Sequence, residues 1–346
     1  MNNTSGSTIK VTMLGNTGSG KTCYLAAMYQ IMSMGFNLNG FSLKAKTRKN
    51  MIELEETWRL LAEGNENNER IWPEGTDTTQ FIDFSLKYAL REDVAQFEWY
   101  DYRGGILLDP DEEKEDVKDL LNRIGNTSCL LLCVSGEHFS ESGLAWSAKR
   151  KIGVTAMNDL ISLSSSYGNN IPPSIVIALT KYDQCKHRNK EEIFEEIKHL
   201  FSPLFAKTKW LVAICPVTLG ISLSKDQDGA SLFPRNVSFP VVFSLLAELL
   251  KQHWEIEESN IDVLPQTNLT RILDIKNIVR LFKNKGVLKT NNSHEENLLI
   301  AAKLRGYIKG LSNIAENNND LDFFPEIYFD GKEINLSTIL ESEGEN

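Results

Sequence analysis

Residues 15–22 read GNTGSGKT and match the pattern GxxxxGK followed by Ser or Thr at every defined position. Glycines in such a loop let the backbone wrap around a phosphate group and turn successive N–H groups toward it. A helix that starts near Lys21 adds the positive end of its dipole. Lys21 is expected to contact the β- and γ-phosphates, which also makes it a candidate catalytic residue, and the Thr22 hydroxyl is expected to ligate Mg²⁺. The residues predicted to bind nucleotide here, the P-loop and its neighbour, are Gly15, Asn16, Thr17, Gly18, Ser19, Gly20, Lys21, Thr22 and Cys23.

A second candidate segment, residues 97–104, reads FEWYDYRG and follows an apolar run. An acidic residue at the end of a strand beside a P-loop can hold Mg²⁺, usually through a water, and this role falls to Asp101. Gly104, three residues on, can offer a backbone N–H to the γ-phosphate and is a second candidate catalytic residue. Arg103 is a third, because its charge could stabilise a transition state. For Arg103 an exposed ion pair is the interpretation we prefer.

A third segment, residues 180–183, reads TKYD after a buried apolar run. The Asp183 carboxylate can accept hydrogen bonds from the N1–H and N2–H₂ groups of guanine, and adenine offers no such pair of donors. The Lys181 stem can cover the plane of the base, and Thr180, where Asn is commoner, can hold the loop together. Thr218 follows the last predicted strand, where backbone N–H groups could meet the guanine oxygen. The segment therefore predicts guanine recognition.

A mobile segment should supply a further Mg²⁺ ligand, and residues 72–79, which read WPEGTDTT, stand in the right place. Thr76, Thr78 and Thr79 are all possible ligands, and we favour Thr78 or Thr79. The alternative is a plain loop capped by threonines.

The elements that must position these residues alternate in type along the chain. Between the first strand and a hairpin, residues 33–75 form a predicted insertion whose helix carries apolar residues at helical spacing. Pro216 ends the last strand and cannot donate a ladder hydrogen bond, which favours an edge position. The pattern predicts a three-layer α/β sandwich. The predicted strands are 9–14, 82–88, 94–100, 129–134, 175–179 and 211–215, and a helix over 239–254 closes the domain.

In this order, the three motifs resemble those of the TRAFAC class of P-loop GTPases over residues 9–254. The insertion, the Trp-Pro-x-Gly-Thr stretch and the Asp-Tyr-x-Gly loop also resemble prokaryotic double-GTPase-type proteins of bacterial conflict and defence systems. The resemblance implies a Ras-like G domain with a six-stranded, mostly parallel sheet and one antiparallel strand. It also implies Mg²⁺-dependent hydrolysis of GTP to GDP and phosphate, with residues 33–75 leading into switch I.

One position departs from the class, because Gly105 stands where many members place a glutamine that orients the attacking water. We therefore expect a slow regulatory switch that needs a protein effector, an activating partner or self-association. A GTP-binding scaffold without hydrolysis is the main alternative. An ATP-dependent kinase or ATPase would require the match at residues 180–183 to be accidental.

The bulk composition limits the partners and the compartment. The 346 residues carry a net charge of −10, which argues against a general binder of nucleic acid or anionic membrane. The five scattered cysteines suit free thiols in a reducing cytosol, and no signal peptide or membrane span is apparent. We expect a cytoplasmic protein with a flexible N-terminus (1–8), a G domain (9–254) and a mainly helical C-terminal extension (255–346) that ends in a β-hairpin.

Overall fold

The computed structural model describes residues 8–34, 41–63, 71–74, 78–88, 92–109, 114–143, 146–166, 173–206, 210–220, 232–256 and 323–334. The predicted flexible N-terminus, except residue 8, and the predicted helical part of the C-terminal extension lie outside this range. The strands of the described part are β1 (Ile9–Leu14), β2 (Phe41–Ala45), β3 (Gln80–Tyr88), β4 (Glu92–Asp101), β5 (Cys129–Ser135), β6 (Ser174–Thr180), β7 (Leu211–Pro216), β8 (Thr218–Gly220), β9 (Leu232–Arg235), β10 (Glu326–Phe329) and β11 (Lys332–Ile334). Its helices are α1 (Lys21–Ser33), α2 (Arg48–Ala62), α3 (Glu115–Ile124), α4 (Trp146–Ile152), α5 (Val154–Ser166), α6 (Lys190–Leu200), α7 (Ser202–Phe205) and α8 (Phe239–Ile256).

The main sheet has nine strands within the described residues, in the order β11-β10-β7-β6-β5-β1-β4-β3-β2. Its central part, β3-β4-β1-β5-β6-β7, is the expected six-stranded sheet, in which only β3 runs antiparallel. This confirms the three-layer α/β class. The strand count needs correction, because β2 extends one edge and the hairpin β10-β11 extends the other.

The strand β2 lies inside the segment that was predicted as a helical insertion. It is antiparallel to β3, with Phe41 and Leu43 buried in the core. Five residues in which apolar and polar types alternate are too short a signal to stand out beside the longer helical pattern that follows. The helix itself is present as α2, and Met51 and Trp58 pack against the core.

The hairpin β10-β11 shows that β7 is not an edge strand, contrary to the prediction from Pro216. Strand β10 pairs with β7 only from Leu211 to Ile214, opposite Phe329 and Glu326. Pro216 lies beyond this ladder, so its missing N–H breaks no hydrogen bond with β10. The boundary predicted at residue 254 therefore does not separate the hairpin from the sheet.

Two hydrophobic clusters cover the two faces of the sheet. Along β5 the side chains alternate between them: Leu131 belongs to one cluster, and Leu130 and Leu132 to the other. Helices α1 and α8 contribute to the first cluster, and α3, α5 and α6 to the second. Burial on both faces explains why β5 and β6 are continuous apolar runs. Among the described helices, none combines the length and apolar character needed to span a bilayer.

The register of β3 makes a prediction about stability. Phe84 is fully buried against Tyr29 and Trp99, whereas Phe81 on the opposite face is 46% exposed. Phe84→Ala should lower the free energy of unfolding by about 3–5 kcal/mol, because it leaves a cavity in the core. Phe81→Ala is the matched control and should cost about 1 kcal/mol or less. Urea denaturation measures both, and equal losses would contradict this register.

Candidate functional site

The P-loop connects the end of β1 to the start of α1. Gly20 directly precedes the helix with φ +84°, a left-handed conformation that glycine adopts without steric cost. The Lys21 side chain is 5% exposed, and its Nζ donates a hydrogen bond to the Gly15 carbonyl at 2.6 Å. Burial lowers the pKa of Lys21, and the nearby Asp101 opposes this effect. The lysine thus lies across the loop, where its charge can face a phosphate.

Asp101 lies beside Lys21 because the parallel pairing of β1 with β4 sets it opposite Met13. Its side chain is 1% exposed, and neither carboxylate oxygen has a hydrogen-bond partner in the described part of the chain. Burial raises the pKa of Asp101 to about 7, despite the opposing charge of Lys21. Buried oxygens of this kind fit a hard cation, and Mg²⁺ typically takes one or two protein ligands, with phosphates and waters completing its shell. Asp101 and the Thr22 hydroxyl are a donor set of the right chemistry.

The loop after β4 lies directly against the P-loop. A Cβ at Gly104 would stand 2.6 Å from the backbone nitrogen of Thr17, so the close approach requires glycine at this position. Arg103 donates hydrogen bonds to Asp109 and Asp116. These bonds raise the pKa of Arg103 and lower that of Asp116. The preferred interpretation of Arg103 as an ion-pairing residue agrees with this geometry, although its side chain is largely buried.

The TKYD segment is bonded to the P-loop through Thr180. The buried Thr180 hydroxyl lies 2.6 Å from the Ser19 carbonyl and 3.2 Å from the carbonyl of Val134. The next residue, Lys181, has a left-handed conformation with φ +50°, and its Nζ pairs with Glu137 at 3.1 Å. The segment thus turns at the end of β6 and is fixed to the P-loop by the Thr180 side chain.

Thr218 holds Asp183 in place. Its hydroxyl lies 3.1 Å from Asp183 Oδ1 and 2.9 Å from the Gly220 carbonyl, so these two acceptors share its single hydrogen. Backbone bonds join Tyr182 N to the Val217 carbonyl and Val217 N to the Leu179 carbonyl. Burial raises the pKa of Asp183, and the hydrogen bond from Thr218 works against that rise. Thr218 was predicted as a nucleotide-binding residue, and in this structure it also orients the carboxylate.

The P-loop and the TKYD segment line one cavity of about 630 Å³. Of the predicted residues, Arg103, Thr78, Thr79, Gly15 and Asp101 do not line it. The cavity-lining residues are Asn16, Thr17, Gly18, Ser19, Gly20, Lys21, Thr22, Cys23, Tyr24, Trp72, Pro73, Glu74, Gly104, Glu137, Thr180, Lys181, Asp183, Gln184, Val217, Thr218 and Leu219. Glu137 follows the carboxyl end of β5, and this position beside the other loops is the signal that could have identified it.

The two favoured switch threonines are not among the residues that line the cavity. Gln80 pairs with Asp101, so β3 begins immediately after Thr79 and draws this residue toward the sheet. The Thr79 hydroxyl is buried, while Thr78 is exposed. Residues 72–74, just upstream, line the cavity instead. Thr76 lies outside the described residues, and a metal-binding role for Thr78 or Thr79 stays a prediction.

The fold and this cavity define a three-layer α/β domain in which the glycine-rich loop after β1 and the TKYD segment after β6 line one cavity. No protein-family model and no curated protein matches the chain. Among solved structures, it is similar to the cytosolic domain of the T. maritima FeoB iron transporter in GMPPNP form, with 13% identity over 90% of this chain and 98% of that chain and a TM-score of 0.31. It is also similar to an S. thermophilus NFeoB mutant bound to GDP, with 15% identity over 87% and 90% of the two chains and a TM-score of 0.31.

The buried Asp101 carboxyl makes a prediction about pH. Because its pKa rises from 3.8 to about 7 on folding, the folded state keeps a proton that the unfolded state releases between these values. The free energy of unfolding of the nucleotide-free protein should therefore fall as pH rises from about 4 to about 7. Asp101→Asn should flatten this decline in denaturation experiments at pH 5 and pH 8. Asp83→Asn, on the neighbouring strand and partly exposed, should keep the wild-type decline. An unchanged slope in Asp101→Asn would contradict the assignment.

The Thr180 bond makes a prediction about stability. Thr180→Val keeps the shape but removes the donor to the Ser19 carbonyl, which should lower the free energy of unfolding by about 1–3 kcal/mol. Thr180→Ser retains the hydroxyl, so its free energy of unfolding should fall by much less. Chemical denaturation compares the two variants, and a larger loss of stability in Thr180→Ser than in Thr180→Val would show that the methyl group, not the hydrogen bond, stabilises this contact.

Proposed function

We propose that this chain binds guanine nucleotides together with Mg²⁺ and hydrolyses GTP to GDP and phosphate as a slow regulatory switch. The single observation that carries the proposal is the shared cavity, which is lined by both the P-loop and Asp183. The bond from Thr180 to the Ser19 carbonyl joins the two segments directly. One nucleotide can therefore contact both, with phosphates at the P-loop and the base at Asp183.

The base-binding side has the chemistry to select guanine. Thr218 uses one lone pair of Asp183 Oδ1, and a carboxylate has about four acceptor positions. The carboxylate is therefore oriented while keeping capacity for the N1–H and N2–H₂ donors of guanine. Lys181, on the cavity wall, can cover the base with its aliphatic stem.

The phosphate-binding side combines one cation with a buried carboxylate. An ammonium has three donors, and the Gly15 carbonyl uses one from Lys21, which leaves donors for the β- and γ-phosphates. Asp101 and Thr22 are the residues that would hold Mg²⁺. Bound there, the ion would neutralise charge on the phosphate oxygens. Gly104 lies against Thr17, where its backbone N–H can bind the terminal phosphate.

The proposed hydrolysis is slow because the loop after Asp101 offers little help to an attacking water. Gly105 has no side chain to orient it, and Arg103 is paired with Asp109 and Asp116. A partner or a second copy would supply the missing group. The same observation favours a second candidate, a GTP-binding scaffold without hydrolysis. The strand order supports placing the domain in the TRAFAC class, and from the resemblance alone we propose a role in bacterial defence.

Base selection tests the proposal most sharply. Asparagine at 183 has one acceptor and one donor, which fits the 2-carbonyl of xanthine instead of the 2-amino group of guanine. Asp183→Asn should weaken GTP binding by about a hundredfold and improve binding of xanthosine triphosphate. Competition binding with GTP, ATP and xanthosine triphosphate measures this. Asp183→Ala is the control, which should lose affinity for GTP without gaining affinity for xanthosine triphosphate. An unchanged preference in both variants would refute guanine recognition.

Phosphate release at single turnover separates the switch from the scaffold. Release with Mg²⁺ that rises with protein concentration and disappears in Lys21→Ala supports a switch activated by self-association. GTP binding with no release at any concentration supports the scaffold.

A further inference from the structure

Residues 323–334, which we call the C-terminal strap, contact the two proposed base-binding loops, the TKYD segment (180–183) and residues 216–218. They comprise a short approach segment followed by β10 and β11, and β10 pairs with β7. The contacts with the base-binding loops come from the approach segment, at Phe323. The strap is remote in sequence from these loops, and no motif in the chain indicates that it meets them.

The first contact is aromatic. The Phe323 ring meets the Tyr182 ring edge to face, with centroids 5.2 Å apart. Tyr182 is fully buried and stands between Lys181 and Asp183 in the TKYD segment. Edge-to-face pairs of this kind stabilise the position of both rings. Arg235 adds a cation–π contact to the same ring, with its guanidinium carbon 4.7 Å from the Phe323 centroid.

The second contact is a polar bridge through Asn236. Its Nδ2 donates to the Pro216 carbonyl at 2.8 Å and to the Phe323 carbonyl at 2.6 Å. An amide NH₂ has two hydrogens, so both bonds form together. Pro216 directly precedes Val217 and Thr218, and Thr218 orients Asp183. The strap is thus joined to both loops that position the Asp183 carboxylate.

The rest of the strap is anchored away from the base-binding loops. Glu326 pairs with Lys190 of α6 at 3.1 Å, and both side chains are largely buried. The Tyr328 ring meets the Phe205 ring at 5.2 Å, and its hydroxyl donates to Glu326. These contacts hold the hairpin on the sheet independently of Phe323 and Asn236.

We propose that the C-terminal strap sets the affinity for the guanine base, with Phe323 and Asn236 as positioning residues for Asp183. This inference rests on the proposed function and adds a means of regulation to the same site. When Phe323 is in place, its contacts restrain Tyr182 and Pro216 and so favour the arrangement of the two loops that can bind the base. The affinity for the guanine nucleotide scales with the population of that arrangement. Loss of the strap's contacts with the two loops weakens binding of the base, while the P-loop still binds the phosphates. A partner that binds the strap would therefore promote nucleotide release.

Two variants test the inference with a matched control. Asn236→Gly removes both hydrogen bonds but tolerates the φ of +60° found at this position. Phe323→Leu removes the ring while keeping an apolar side chain. Tyr328→Phe is the control, because it alters the strap where it contacts neither base-binding loop. The ligands are GDP, ADP and inorganic tripolyphosphate, measured by equilibrium binding with Mg²⁺, together with the dissociation rate of GDP.

Each of the two variants should weaken GDP binding by about tenfold, mainly through faster dissociation. Tripolyphosphate affinity should stay unchanged, which also reports that the variants are folded. Tyr328→Phe should match wild type with all ligands. If a variant loses affinity for GDP and for tripolyphosphate equally, or keeps its GDP affinity, the inference about the strap is wrong while the proposed function stands. A wild-type protein that does not prefer GDP over ADP would overturn the proposed function and the inference with it.

Discussion

The hydrogen bond from the Thr180 hydroxyl to the Ser19 carbonyl is the contact on which the site depends. It joins two segments that lie far apart in sequence but follow strands β1 and β6 of one parallel sheet. Such strands end at the same edge, so the loops after them face one crevice. Because Thr180 is buried, this bond is shielded from competing water and holds the P-loop and the TKYD segment in one geometry.

The pair formed by Lys21 and Asp101 shows a conflict between stability and binding. Burial opposes the charged form of each group, lowering the pKa of the lysine and raising that of the carboxyl. A fold selected for stability alone would gain little from two such groups beside its most buried strands. Their placement fits the proposed function, in which phosphates and a divalent cation complete the charge balance. In that proposal the site is costly to the folded chain by itself and is stabilised by the bound nucleotide.

The hairpin β10-β11 connects the C-terminal region to the main sheet. By pairing with β7 it becomes part of the same sheet that carries the site, and its approach segment reaches Tyr182 and Asn236. A region that was expected as a separate appendage thus shares a continuous network with the base-binding loops. Contacts of this kind let a remote segment influence a ligand site through ordinary packing and hydrogen bonds.

Local sequence patterns alone determined the P-loop, Asp101 and the TKYD segment, because each combines a short motif with the apolar strand that precedes it. The same patterns determined the α/β class, the six central strands and the helices α1, α2 and α8. Only the tertiary structure decided that β10 covers β7, that Arg103 pairs with acidic residues, and that residues 72–74 rather than Thr78 and Thr79 line the cavity. These outcomes depend on pairing between segments remote in sequence and on the paths of loops, and neither leaves a periodic signal along the chain.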